Sequence, residues 1–164
     1  MPEAAVRREW PLCSHLEQHL HTNIPLSRAM QVTVLEADPE HVLLRAPLAP
    51  NLNPHGTVFG GSAYTLATLA AWTLLSHRLE GRQPAVSVVL QTGSMQYARP
   101  MHGDFTALAQ LPADADWPQF LRMLARCGRA RLTVAARLQC AGETAGAFSG
   151  EFVALTEGLA PGVE

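Results

Sequence analysis

Gly60, Gly61 and Ser62 stand where a turn-rich stretch, NLNPHGTVF (51–59), gives way to a run of helix-tolerant residues, AYTLATLAAWTLLS (63–76). The first N–H groups of a helix have no partner inside it, and the helix dipole adds partial positive charge at that end. The amides of Gly60, Gly61 and Ser62 are therefore candidates to hold a ligand oxygen that gains negative charge, and glycine lets that oxygen approach closely. Just before them, Asn53 offers a side-chain amide and His55 an imidazole able to take a proton. Donors for an oxyanion beside one base are the parts needed to attack an acyl carbonyl or to stabilise charge on it.

Simpler roles exist for the same residues. Ser62 suits a helix N-cap, and a loop histidine beside Pro54 is commonly just exposed. No Asp or Glu lies between Asn51 and Leu79, so a carboxylate base would have to come from Asp104, from Glu36 or from a second subunit. HLEQH (15–19) places His15 and His19 at i, i+4 near Cys13 and His21, but it matches neither zinc-protease helix motif, and no metal is expected. G-x-S-x-G, G-x-G-x-x-G and Walker patterns are absent, which leaves serine-triad, dinucleotide and ATP chemistry without support, and no cofactor is expected. Cys13, Cys127 and Cys140 are odd in number and unrelated in spacing, as reduced packing residues are.

The elements that must position the candidate residues follow from periodicity. Leu12, Leu16 and Leu20 predict a helix over 12–23 stopped by Pro25. Met30, Val32 and Val34 alternate as a strand, and a turn at Asp38-Pro39-Glu40 leads to a second strand over 41–48. Apolar residues surround the 63–76 helix on all sides, the pattern of a helix wrapped by other elements, and the uncharged 51–76 segment is expected to exclude water. A membrane span is the competing reading, diluted by Gly60, Gly61, Ser62 and three threonines. Ala85–Leu90 reads as a strand buried on both faces or at an interface, continuing past a bulge at Thr92-Gly93 to Arg99. Strands follow over 105–111 and 129–140 and then through Phe148, Phe152 and Ala154, with a short helix between Asp116 and Gly128. One antiparallel sheet wrapped around one helix satisfies this order, an α+β arrangement. The expected organisation is a helical segment over 1–24, belonging to the same domain as 25–157, and a flexible tail over 158–164.

The chain has 164 residues, with 12 basic residues, all arginine, against 14 acidic ones. One domain of that size can bury a real core, and near-neutral charge argues against general nucleic-acid binding. The N-terminus lacks the apolar core of a secretory signal, so a cytoplasmic location is expected. Arg122, Arg126, Arg129, Arg131 and Arg137 fall in a region without acids between Trp117 and Gly142. They suit either the wet face of an edge strand or a dock for coenzyme A phosphates or an acidic carrier protein.

The element order, with NPHGTVFGG (53–61) leading into the helix, resembles the hotdog-fold thioesterases, whose sheet wraps a central helix. More narrowly, PLSRAM (25–30), APLAPNLN (46–53), GTVFGGSAYTLATLAAW (56–72), SMQYARPMHGDF (94–105) and GRARLTV (128–134) resemble the thioesterase family typified by the C-terminal domain of YiiD. The resemblance runs from about Leu20 to Leu155 and implies an acyl-CoA or acyl carrier protein substrate, and a homodimer or homotetramer with its site at a subunit boundary. It would place the thioester carbonyl at Gly60, Gly61 or Ser62, with Asn53 nearby. Many phenylacetate-type hotdog thioesterases have His before the two glycines and Asp about seven residues beyond, where this chain has Phe59 and Thr68.

The expectation is hydrolysis of an acyl thioester, with Asn53, Gly60, Gly61, Ser62 and His55 as catalytic candidates. Asn51, Thr57, Phe59, Tyr64, Ser94, Arg129 and Arg131 are candidates for contacts with substrate. Decarboxylation of a malonyl thioester is the alternative, since it needs an enolate held by donors and no base. A domain that binds acyl thioesters without turning them over is the third reading.

Overall fold

The computed structural model describes residues 11–158, and the tail expected over 158–164 lies almost wholly outside them. Among the described residues the first elements are two helices, α1 (Pro11–Asn23) and α2 (Pro25–Ala29), followed by strands β1 (Thr33–Ala37) and β2 (His41–Ala46). A 3-10 turn at Ala49–Asn51 precedes α3 (Gly60–Leu79). Then come β3 (Val86–Tyr97), β4 (Phe105–Gln110), α4 (Trp117–Cys127), β5 (Arg129–Cys140) and β6 (Glu143–Thr156). The six strands form one antiparallel sheet in the order β1-β2-β4-β5-β6-β3, curled around α3 as a hotdog fold.

Helix α3 is buried because its sequence offers no wet stripe: Ala63, Leu66, Ala67, Ala70, Ala71, Leu74 and Leu75 are all inside. Facing it, the sheet alternates large residues such as Phe105, Leu138, Phe148 and Phe152 with Ala107, Ala109, Ala136 and Ala154, which let strands approach the helix. β5 keeps the alternation read from its sequence, with Arg129, Arg131, Thr133 and Arg137 on the outer face. Among the described residues no helix is long and apolar enough to cross a membrane.

Several expectations are corrected. Pro25 ends α1 but also opens α2 at its first position, where proline's missing N–H costs nothing, so Met30 caps a helix and the strand starts only at Thr33. The loop before α3 is not shut from water: Leu52, Pro54, His55, Gly56, Phe59 and Gly61 are exposed, because turn residues without charge are still turn residues. β3 is not buried on both faces within the chain: it covers the core on one face, with Val88 inside and Val89 48% exposed, and it forms an edge of the sheet.

The two edges differ. Beside β1, Cys13, Glu17 and His21 sit at i, i+4, i+8 on α1 and meet the strand's backbone: the Cys13 thiol points to Leu35 O (3.8 Å), the Val34 N–H donates to Glu17 (3.0 Å), and His21 Nε2 lies 2.8 Å from Val32 O. Burial pushes the Cys13 thiol pKa up. At the far side, β3 bonds to β6, and no described strand covers its other side. In the β1–β2 turn, burial alone would raise the Asp38 carboxyl pKa, but the Glu40 and His41 amides and the His41 ring outweigh it and hold it below the ordinary 3.8.

Candidate active site

The loop into α3 is a small closed hairpin. Leu52 bridges Val58, the Asn53 N–H donates to Thr57 O (2.8 Å), and Gly56 takes the left-handed φ of 79° that closes the turn. The Asn53 side chain is spent on that turn, its Oδ1 accepting from the His55 and Thr57 amides (2.9 and 3.1 Å) and its Nδ2 donating to Thr57 Oγ1 (2.7 Å). Asn51 is buried and ties the loop to the body, donating to Met30 O (3.1 Å) and Pro47 O (2.8 Å) while its backbone carbonyl accepts from Phe59 N. The loop is further pinned by the Val58 N–H bonding to Met101 O.

At Phe59 the chain is extended, and it turns helical at Gly60, so Phe59 holds the N-cap position and offers no side-chain cap. Ser62 is thus in the first turn and not the N-cap. The first helical bond runs from Ala63 N to Phe59 O (3.0 Å). Among the described residues, the amides of Gly60, Gly61 and Ser62 donate to no protein acceptor. The Phe59 ring folds back against Gly61, where any β-carbon would overlap it. Tyr97, at the end of β3, donates its hydroxyl to Gly60 O (2.8 Å) and stacks its ring edge along Gly60. Leu52, Phe59 and Tyr97 are each at least half exposed, so three free donors sit among uncovered apolar side chains.

The remaining candidates lie elsewhere. His55 is exposed at the hairpin tip. Tyr64 is half buried, its ring edge-on to Phe148 and its hydroxyl against Gly93 of β3. Ser94, Arg129 and Arg131 are exposed on the sheet's outer face, with Arg129 and Arg131 toward the far end of α3. Asp104 pairs with Arg45 and accepts from Leu48 N, and Glu36 pairs with His41, so both carboxylates serve local structure. The cluster near the start diverges: Cys13 and His21 face β1, His19 stacks on Trp72, and His15 points toward Glu80. From sequence, Tyr97 reads with Met95 as either the lining of an acyl tunnel or plain core, and Leu52 carries no site signal. Tyr97 has the same parity as the half-buried Met95, which suggests core, and only the end of the strand turns it to the helix start.

The family described as "Putative thioesterase (yiiD_Cterm)" matches residues 13–156. The chain belongs to that family. Among solved structures, a protein of unknown function from Chlorobaculum tepidum superposes with a TM-score of 0.80 at 26% identity, covering 89% of this chain and 95% of the other. A putative thioesterase from Shewanella oneidensis gives 0.74 at 27% identity, covering 88% and 98%. A thioesterase from Haemophilus influenzae shares the fold at 12% identity, with a TM-score of 0.72 over 91% and 94%.

Proposed function

We propose that the protein hydrolyses acyl thioesters of coenzyme A or a carrier protein, with the developing oxyanion held by the amides of Gly60, Gly61 and Ser62. The observation that supports this best is the set of three unfilled donors rimmed by Leu52, Phe59 and Tyr97. Water adds to the thioester carbon, the carbonyl oxygen takes negative charge at the helix start, and collapse expels the thiol. One donor of this kind is worth about 10²–10³ in kcat. The hairpin held by Asn53, Asn51 and Thr57 fixes where the donors point. His55, at the exposed hairpin tip and apart from those amides, is not assigned as the base; the proton that water loses leaves on the expelled thiol. A second protomer is part of the proposal, because α1 closes the β1 edge while among the described residues β3 is left open, as a strand that pairs with another copy would be.

Decarboxylation of a malonyl thioester is the second reading, favoured by the lack of any acidic residue from Asn51 to Leu79. There the C–C bond breaks, carbon dioxide leaves, and the electron pair forms an enolate whose oxygen the same amides hold until carbon is protonated. A carboxylate at the helix start would repel that substrate. Incubation with malonyl and longer acyl thioesters separates the readings: free thiol marks hydrolysis and carbon dioxide marks decarboxylation. Tight binding with neither product would leave only an acyl-thioester binding domain.

A further inference from the structure

Four arginines form an exposed surface outside the site. Arg122 and Arg126 lie one turn apart on α4, and Gly128, at a left-handed φ of 69°, leads directly to Arg129 and Arg131 on β5. All four are exposed, and among the described residues none has a carboxylate within ion-pair distance. β4 pairs only with Ala135–Cys140, so Arg129 and Arg131 lie on the half of β5 that has β6 on one side and no strand on the other, but Arg122 and Arg126 are on α4 and guard no sheet edge. Met123, 43% exposed, puts an apolar side chain in the middle of the charge. Arginines spread over a helix face and a strand do not converge on one phosphate; they match an extended acidic surface with an apolar centre.

We propose that this surface docks an acidic carrier protein bearing the acyl group on a pantetheine arm, and that it delivers the arm to the helix start of the second protomer. This rests on the acyl-thioester reading and on pairing through β3. The patch sits at the wrong end for its own protomer: Arg78, in the last turn of α3, stacks over Trp117 of α4 (4.2 Å). A helix of 20 residues then separates it from Gly60 by about 30 Å. Antiparallel pairing of two β3 strands about their middle sets Val86 beside the partner's Tyr97. Val86 is level with Thr156, which donates to Gly128 O, so β5 begins only three strand spacings, about 14 Å, from the partner's β3.

Three measurements test it. Titration with an acyl carrier protein lacking any acyl group should give binding that weakens with salt and falls at least tenfold in Arg122→Glu/Arg126→Glu; equal binding by that variant overturns the dock whether or not the protein turns anything over. With catalysis as readout, the variant should lose at least tenfold in kcat/KM on a carrier-borne substrate and keep its rate on a short pantetheine thioester. Parallel loss on both, or loss on acyl-CoA alone, overturns it. For delivery across the dimer, Arg122→Glu/Arg126→Glu chains are mixed with Gly60→Pro chains, which lack one helix-start donor. Each mixed dimer then holds one complete pair of dock and helix start only if delivery is between protomers, so activity on the carrier substrate should return to roughly a quarter of wild type. No gain on mixing overturns delivery to the partner.

Discussion

At Gly60 the backbone allows a clean separation of donor from fold. Gly60 is the first helical residue, where proline is welcome, and Phe59 before it has φ −61° and ψ 131°, the extended conformation that proline requires of its predecessor. Gly60→Pro should therefore fold with unchanged or slightly higher melting temperature yet lose about 10²–10³ in kcat if its N–H holds the oxyanion, whereas Gly60→Ala keeps the donor and the rate. Wild-type turnover in the proline variant would remove that amide from the chemistry. Gly93 poses a different residue question. A β-carbon there would run into the Tyr64 hydroxyl and come within 3.3 Å of Phe148, so Gly93→Ala should cost about 1–3 kcal/mol in urea unfolding. Combining it with Tyr64→Phe should recover most of that, and strictly additive effects would show that the two residues are not in contact. The glycine pair was legible because a backbone need selects glycine. Asn51 and Asn53 were legible only as polar, since asparagine serves a turn and an active site equally; their hydrogen bonds show the turn.

Among the elements, α1 illustrates what periodicity hides. Its buried Leu16 and Leu20 mark a helix against the core, but the face bearing Cys13, Glu17 and His21 answers to backbone groups of β1, which leave no trace in side-chain pattern. Glu17→Ala would leave the Val34 amide without its acceptor at a half-buried edge, at a cost of about 1–3 kcal/mol, while Glu17→Gln still offers an oxygen and should lose little. Equal losses in both variants would mean that the carboxylate charge, and not the hydrogen bond, matters there. β5 was read correctly because strict alternation has one solution, and the helix from Asp116 to Gly128 because both its ends are capped, Asp116 accepting from Gln119 N and Gly128 adopting the left-handed conformation. The stretch at Met30 was misread because Met30 and Val32 are both buried from a helix cap and a turn, which mimics a strand's alternation.

For the whole molecule the unsettled element is the 12-residue edge β3. A strand this long, with no charged residue, no proline and no bulge to turn it away except between Leu90 and Thr92, is a template for another chain unless something covers it. α1 performs that service for β1, and among the described residues nothing does so for β3, so two copies should join their β3 strands into one continuous sheet. An edge strand bonded on one side leaves alternate amides free to exchange, whereas a strand bonded on both sides protects them all. Hydrogen exchange over residues 86–97 should therefore show slow exchange at consecutive positions, and light scattering should give at least twice the 17.7 kDa chain mass. Placing lysine at both Val89 and Gln91 puts like charges across the antiparallel pair, so the variant should scatter as a monomer and recover fast exchange at alternate amides. A monomeric wild type with alternate fast amides in β3 would refute the pairing, and with it the delivery of substrate from one protomer to the other.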